Sequence, residues 1–142
     1  MKRAIRWTIG ALAIAGVAIQ FVPVDRTNPP VDSEVPATPE VRSILRRACY
    51  DCHSNETVWR WYSRVAPVSW LIAHDVHEGR AELNFSTWSR LDANAQAKAL
   101  GKSWKEVDEG EMPPWIYVPM HPDASLSAED RAALRAWAMP SP

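Results

Sequence analysis

The sequence predicts an all-α protein: a small helical domain preceded by an N-terminal membrane-anchor helix. Three observations carry that expectation. Trp7 to Val22 contains no charged residue. Four later segments repeat apolar residues at the i, i+3, i+4, i+7 spacing of a helix face. Long alternating patterns, the mark of half-buried strands, are absent. The 142 residues suit one domain, and 46% apolar with 23% charged residues is a folded rather than a disordered composition.

The first element is the apolar N-terminus, residues 1–24. As a helix, the 16 charge-free residues WTIGALAIAGVAIQFV would span about 24 Å. The hydrocarbon core is about 30 Å thick, so Arg6 must snorkel and Pro23-Val24 must extend the stretch. Lys2, Arg3 and Arg6 precede it, which puts the N-terminus in the cytoplasm and the rest outside. The expectation is an uncleaved single-pass anchor in the inner membrane with a periplasmic domain. The alternative is a cleaved signal peptide with Ala13-Ile14-Ala15 as its small-x-small site. Either way the domain is exported.

Residues 25–39, DRTNPPVDSEVPATP, are expected to be an extended linker, because Pro29, Pro30, Pro36 and Pro39 prevent regular helix. Residues 40–142 form the folded domain. Its first helix starts at Thr38-Pro39-Glu40: a capping hydroxyl, a proline at the first position and an acid in the first turn. Val41, Ile44, Leu45, Ala48 and Cys49 make its apolar face. A second helix is expected from Pro67 to Gly79, with Val68, Leu71, Ile72 and Val76 as its buried stripe. A third runs from Ala95 to Glu109 and stops at Gly110, with Leu100, Trp104 and Val107 inward. The last begins at Ser127, where Ser127 and Asp130 approximate a capping box, and buries Ala133, Leu134, Trp137 and Ala138.

The net charge of −1 offers no basic surface for a phosphate backbone, so a nucleic-acid partner is not expected. From Asp25 onward 13 basic residues stand against 17 acidic ones. Two cysteines three apart exclude a disulfide-dense scaffold.

The chemistry concentrates at Cys49-Tyr50-Asp51-Cys52-His53. Cys-x-x-Cys-His is the attachment signature of c-type haem. Two thiols on one helical turn add across the porphyrin vinyl groups, and the adjacent imidazole becomes the proximal iron ligand. In bacteria that attachment takes place outside the cytoplasm, in keeping with the export signal. Two other uses of the same residues compete. A redox dithiol would open a helix in a βαβ setting, which is not the pattern here. A zinc site would need Cys49, Cys52 and His53 completed by His74 and His77.

Four residues are candidates for the distal ligand: His74, His77, Met112 and His121. Met112 lies in Gly110-Glu111-Met112-Pro113-Pro114-Trp115, where two prolines stiffen the loop and reduce the entropy cost of holding a thioether at iron. Its competing role is core packing. His74 and His77 fall opposite the apolar stripe of their helix and are expected in solvent, and His121 is expected to lie at the surface or to brace its loop. Trp59, Trp61, Tyr62, Trp70, Phe85 and Trp88 would wall the haem or pack in the core, and Arg64 or Arg80 would pair with its propionates or stand in solvent. Glu106, Asp108, Glu109 and Glu111 make the approach to Met112 acidic.

A longer string of residues is more specific. It comprises Cys49 to Thr57 (CYDCHSNET), Trp61-Tyr62-Ser63, Ala66 to Trp70 (APVSW), Gly79-Arg80, Leu83 to Ser86 (LNFS) and Trp88. Gly110 to Pro114 (GEMPP) and His121-Pro122 complete it. With these residues the chain, from about Asn28, resembles the bacterial haem-binding domain family of small c-type cytochrome-like proteins. The resemblance implies a cytochrome c-like helical fold and one covalent haem c. By position it implies Cys49 and Cys52 as attachment residues, His53 as proximal and Met112 as distal iron ligand. The expected function is electron transfer by a membrane-tethered, periplasm-facing monohaem protein, not an enzyme, exchanging electrons with unidentified protein partners. The alternatives are a five-coordinate haem sensor of gas or peroxide, a weak peroxidase, or a haem-free zinc or dithiol module.

Overall fold

A computed structural model describes residues 1–139. Its described residues are helical with short 3₁₀ turns and form no strand, apart from one isolated parallel bridge between Ser33 and Thr87. Six α-helices follow in order: α1 Lys2–Ala18, α2 Pro39–Ala48, α3 Tyr50–His53, α4 Val68–Glu82, α5 Ala93–Asp108 and α6 Ala128–Ala138. The all-α expectation and the apolar N-terminal helix both hold. The chain divides into two compact units, residues 1–27 with 58–75 and residues 28–57 with 76–142, and the second division falls inside α4.

In the first unit, α1 and the 3₁₀ turn Ile19–Phe21 make an apolar helical run from Lys2 to Phe21. Its 20 residues reach about 30 Å, the thickness of a bilayer core. None of its side chains is buried by protein. The unit also holds the 3₁₀ turn Trp61–Arg64 and the start of α4.

The second unit contains the core. α2 packs on α6, and α6 on α5. Val41, Ile44 and Leu45 of α2 meet Val107 of α5 and Leu134 of α6, with Tyr50, Phe85 and Trp88 filling between them. The helix starts follow local chemistry. The Thr38 hydroxyl accepts from the Val41 amide, and the Ser127–Asp130 capping box is complete. The third predicted helix begins two residues earlier than expected, because Asp92 caps it by accepting from the Ala95 amide. It ends as predicted, with Gly110 at φ +80° just beyond the helix.

Two expectations need correction. Residues 25–38 lie outside any helix, but Pro39 opens α2 and residues 28–39 belong to the second unit. Val35 is buried in the core, Asn55 donates to the Pro30 carbonyl, and the Trp137 indole donates to the Pro36 carbonyl. Between prolines, Val35 and Ala37 have apolar surface to cover, and the core covers it. The second correction concerns α4, which does not stop at Gly79 but continues to Glu82. Its predicted buried stripe is also split: Val76 is buried, whereas Val68 and Leu71 are exposed.

Candidate haem site

The motif is built where α2 hands over to α3. Cys49 is at once the residue that ends α2 and the one that begins α3. The amides of Cys52 and His53 both donate to the Cys49 carbonyl, so the two cysteines and the histidine share a single turn. Cys49 and Cys52 are half-buried thiols, not joined to each other. Burial, followed by the proximity of Cys52, pushes the Cys49 thiol up to about 12. A dithiol oxidoreductase needs the opposite, a depressed thiol that ionises near neutrality.

His53 is fixed from outside the motif. Its Nδ1 lies 2.8 Å from the Gly79 carbonyl oxygen and 3.1 Å from that of Leu83. Carbonyls only accept, so Nδ1 carries a proton, and in the neutral ring the lone pair lies on Nε2. Gly79 lies in the last turn of α4 and Leu83 directly after its end, where the helix dipole is negative; the Gly79 carbonyl also accepts from the Leu83 amide. A carbonyl that accepts from one ring nitrogen fixes the plane of an imidazole and makes its other nitrogen a better electron donor. The Phe85 amide donates to the His53 carbonyl at 2.8 Å, and the Phe85 ring meets the imidazole edge-on at 6.4 Å.

Gly79 explains why α4 can come so close. A Cβ there would sit 2.7 Å from the Cys52 carbonyl oxygen and 3.1 Å from the Cys52 Cβ. Any side chain at this position would push α4 off the motif. The helix stop expected at Gly79 is instead a close-approach position inside the helix.

The residues after the motif form a braced loop. The Thr57 hydroxyl donates to the Asp51 carbonyl and the Ser54 hydroxyl to the Tyr50 carbonyl. Arg80 donates through Nε to the Ser54 carbonyl and through its terminal nitrogen to Asn28 and Thr57. Arg80 thus braces the loop that follows the motif. Asp51, between the two cysteines, accepts a 2.8 Å hydrogen bond from the Tyr117 hydroxyl.

Met112 follows α5. Its amide donates to the Glu106 carbonyl, its peptide bond to Pro113 is cis, and its side chain is half-buried. Met112 and Cys49 both pack against the core of the second unit. His74 and His77 are exposed, as their helical phase predicts. His121 braces its loop: Nδ1 lies 3.0 Å from the Tyr117 carbonyl, and the ring stacks on Tyr117 at 3.7 Å. Of the six aromatics expected around the haem, Phe85 and Trp88 are core residues of the second unit, whereas Trp61 is 74% exposed in the first. Among the described residues, no group of three or more His, Cys, Asp or Glu side chains can hold a metal ion. The zinc arrangement with His74 and His77 therefore finds no site there.

Sequence reasoning named the motif but missed its supports. Gly79, Leu83 and Tyr117 act from distant parts of the chain, and the only early signal was their place in, or next to, the family-like string.

The donor set suits a haem: two thiols on one turn beside an imidazole whose outer nitrogen is already satisfied. The model of a haem-binding domain family matches residues 14–139. No curated protein and no solved structure matches the chain.

Proposed function

We propose, from the premise that this chain belongs to the haem-binding domain family, that it is a membrane-tethered, monohaem c-type electron carrier. Cys49 and Cys52 would hold the porphyrin through thioether bonds, His53 Nε2 would be the proximal iron ligand and Met112 Sδ the distal one. The haem iron, so held, supplies a one-electron couple. The polypeptide binds, orients and shields that couple and carries out no chemistry of its own, so the protein is not an enzyme.

The observation that carries the proposal is the Nδ1 contact of His53 with the Gly79 and Leu83 carbonyls. A histidine that served only packing would gain little from two carbonyl acceptors on one nitrogen. For a ligand, the same contact sets the tautomer, the ring plane and the donor strength of Nε2. The N-terminal run Lys2 to Phe21 supports an inner-membrane anchor, and Lys2, Arg3 and Arg6 favour a periplasmic haem domain. The exposed acids Asp108, Glu109 and Glu111 near Met112 favour a redox partner with a basic docking face.

The test is the full chain expressed with a haem c maturation system. The reduced pyridine haemochrome spectrum should show thioether-linked haem. The oxidised protein should show the weak long-wavelength band of sulfur-to-iron ligation. Rapid carbon monoxide binding by the reduced protein would instead mean an open iron and a sensor or peroxidase.

A further inference from the structure

We infer that the segment from Arg60 to Leu71 lies in the membrane interface, as a second contact of this chain with the lipid beside its anchor. The inference rests on the tethering proposed above and adds to it a surface that includes Val68 and Leu71, which helical periodicity alone would bury.

Gln20 closes the apolar N-terminal run and grips Ala66 from both sides. Its Oε1 accepts from the Ala66 amide at 2.9 Å, and its Nε2 donates to the Ala66 carbonyl at 3.1 Å. The same Nε2 also donates to the Gly16 carbonyl inside α1. Ala66 is thereby bound to the outer end of the anchor, within the same compact unit. An anchor of about 30 Å that fills the hydrocarbon core brings its last turn, and Gln20 with it, to the headgroup boundary. Ala66 must then lie at that depth.

The residues around Ala66 are those such a depth favours. Trp61 is 74% exposed, and Val65, Val68 and Leu71 are each close to half-exposed. All four lie within five residues of Ala66 in sequence. Val68 and Leu71 form the half of the α4 stripe that no protein core covers. Four large apolar side chains clustered in this way need a cover in water. Tryptophan prefers the membrane boundary, where its ring is apolar and its N–H reaches water. Arg60 and Arg64 are exposed on the same segment and suit lipid phosphates. A protein partner or a second copy of the chain would leave unexplained why this surface is fastened to the exit of the anchor.

The test is hydroxyl-radical footprinting of the full chain in liposomes of phosphatidylethanolamine and phosphatidylglycerol, read per residue by mass spectrometry. Trp115, 83% exposed in the other unit, is the internal reference, and Trp7 inside the anchor reports insertion. The expected result is protection of Trp7 together with oxidation of Trp61 roughly fivefold below that of Trp115. Protection of Trp7 with equal oxidation of Trp61 and Trp115 would overturn the inference and leave the anchor standing. Equal oxidation of all three would overturn the anchor, and the inference with it. Protection of Trp61 that rises with protein-to-lipid ratio would mark a contact between copies and also overturn it.

Discussion

The Tyr117 hydroxyl donates a 2.8 Å hydrogen bond to Oδ2 of Asp51, joining the residue between the two cysteines to the segment that follows Met112. The two residues lie 66 positions apart. His121 completes the contact, stacked on Tyr117 with its Nε2 3.8 Å from the same carboxylate oxygen. The Cys49–His53 turn and the segment after Met112 are thus joined directly. Tyr117→Phe keeps the ring and removes only the hydroxyl. It should cost about 1.5–3 kcal/mol in denaturant unfolding, the usual worth of a hydrogen bond to a charged acceptor. The loop should also hold Met112 less firmly, which a weaker sulfur-to-iron band would show. An unchanged midpoint and an unchanged band would remove the coupling.

Gly79→Ala sets two effects against each other. Alanine in a helix interior gains about 0.5–1 kcal/mol over glycine. The added Cβ, 2.7 Å from the Cys52 carbonyl, forces backbone apart at a cost of about 1–3 kcal/mol. Overlap should win, with a net loss of stability and less haem retained per chain. Thermal melting and the haem-to-protein absorbance ratio check both parts. A variant more stable than the wild type would show that α4 is not pressed against the motif.

Met112→Ala should leave covalent haem in place and remove the distal sulfur. The expected signs are loss of the long-wavelength band, a lower reduction potential and rapid carbon monoxide binding. If the wild type binds carbon monoxide equally fast, Met112 is a packing residue and the distal side is open.

Acid should loosen the end of the fold at α6. The Arg47 guanidinium 2.6 Å away, then the Ser127 amide, hold the Asp130 carboxyl below the usual carboxylate range. A lowered folded-state value stabilises the protein above the unfolded pKa of about 4 and is lost as pH falls through the folded value. Asp130→Asn should therefore be less stable than the wild type at neutral pH, by about 1 kcal/mol after discounting for solvent screening. The gap should close as pH falls through the lowered folded-state value of Asp130. A gap that persists in strong acid would assign the effect to packing rather than charge. Arg47 lies two residues before Cys49 and also donates to the carbonyls of Asp123 and Ser125, so this end of the fold borders the motif.

What the sequence disclosed follows how local each signal is. Thr38, Ser127 and Gly110 act within a few residues of themselves, and the helix ends they set were readable. Cys49, Cys52 and His53 lie within one turn, so the motif was readable too. The carbonyls that orient His53 come from 26 and 30 residues downstream and depend on how α4 crosses the motif. Gly79 was misread for the same reason: helix stop and close approach both call for glycine, and only the neighbouring chain separates them. The exposed half of the α4 stripe was legible as apolar, but periodicity does not say whether protein or lipid covers a face.

The central claim is that this turn carries haem through Cys49, Cys52 and His53. The most direct measurement is the intact mass of the denatured full chain from a host with haem c maturation, alongside Cys49→Ala/Cys52→Ala. The wild type should remain coloured and heavier than its polypeptide by one haem, and the double variant should lose both properties. A colourless wild type with the mass of the polypeptide alone would contradict the claim.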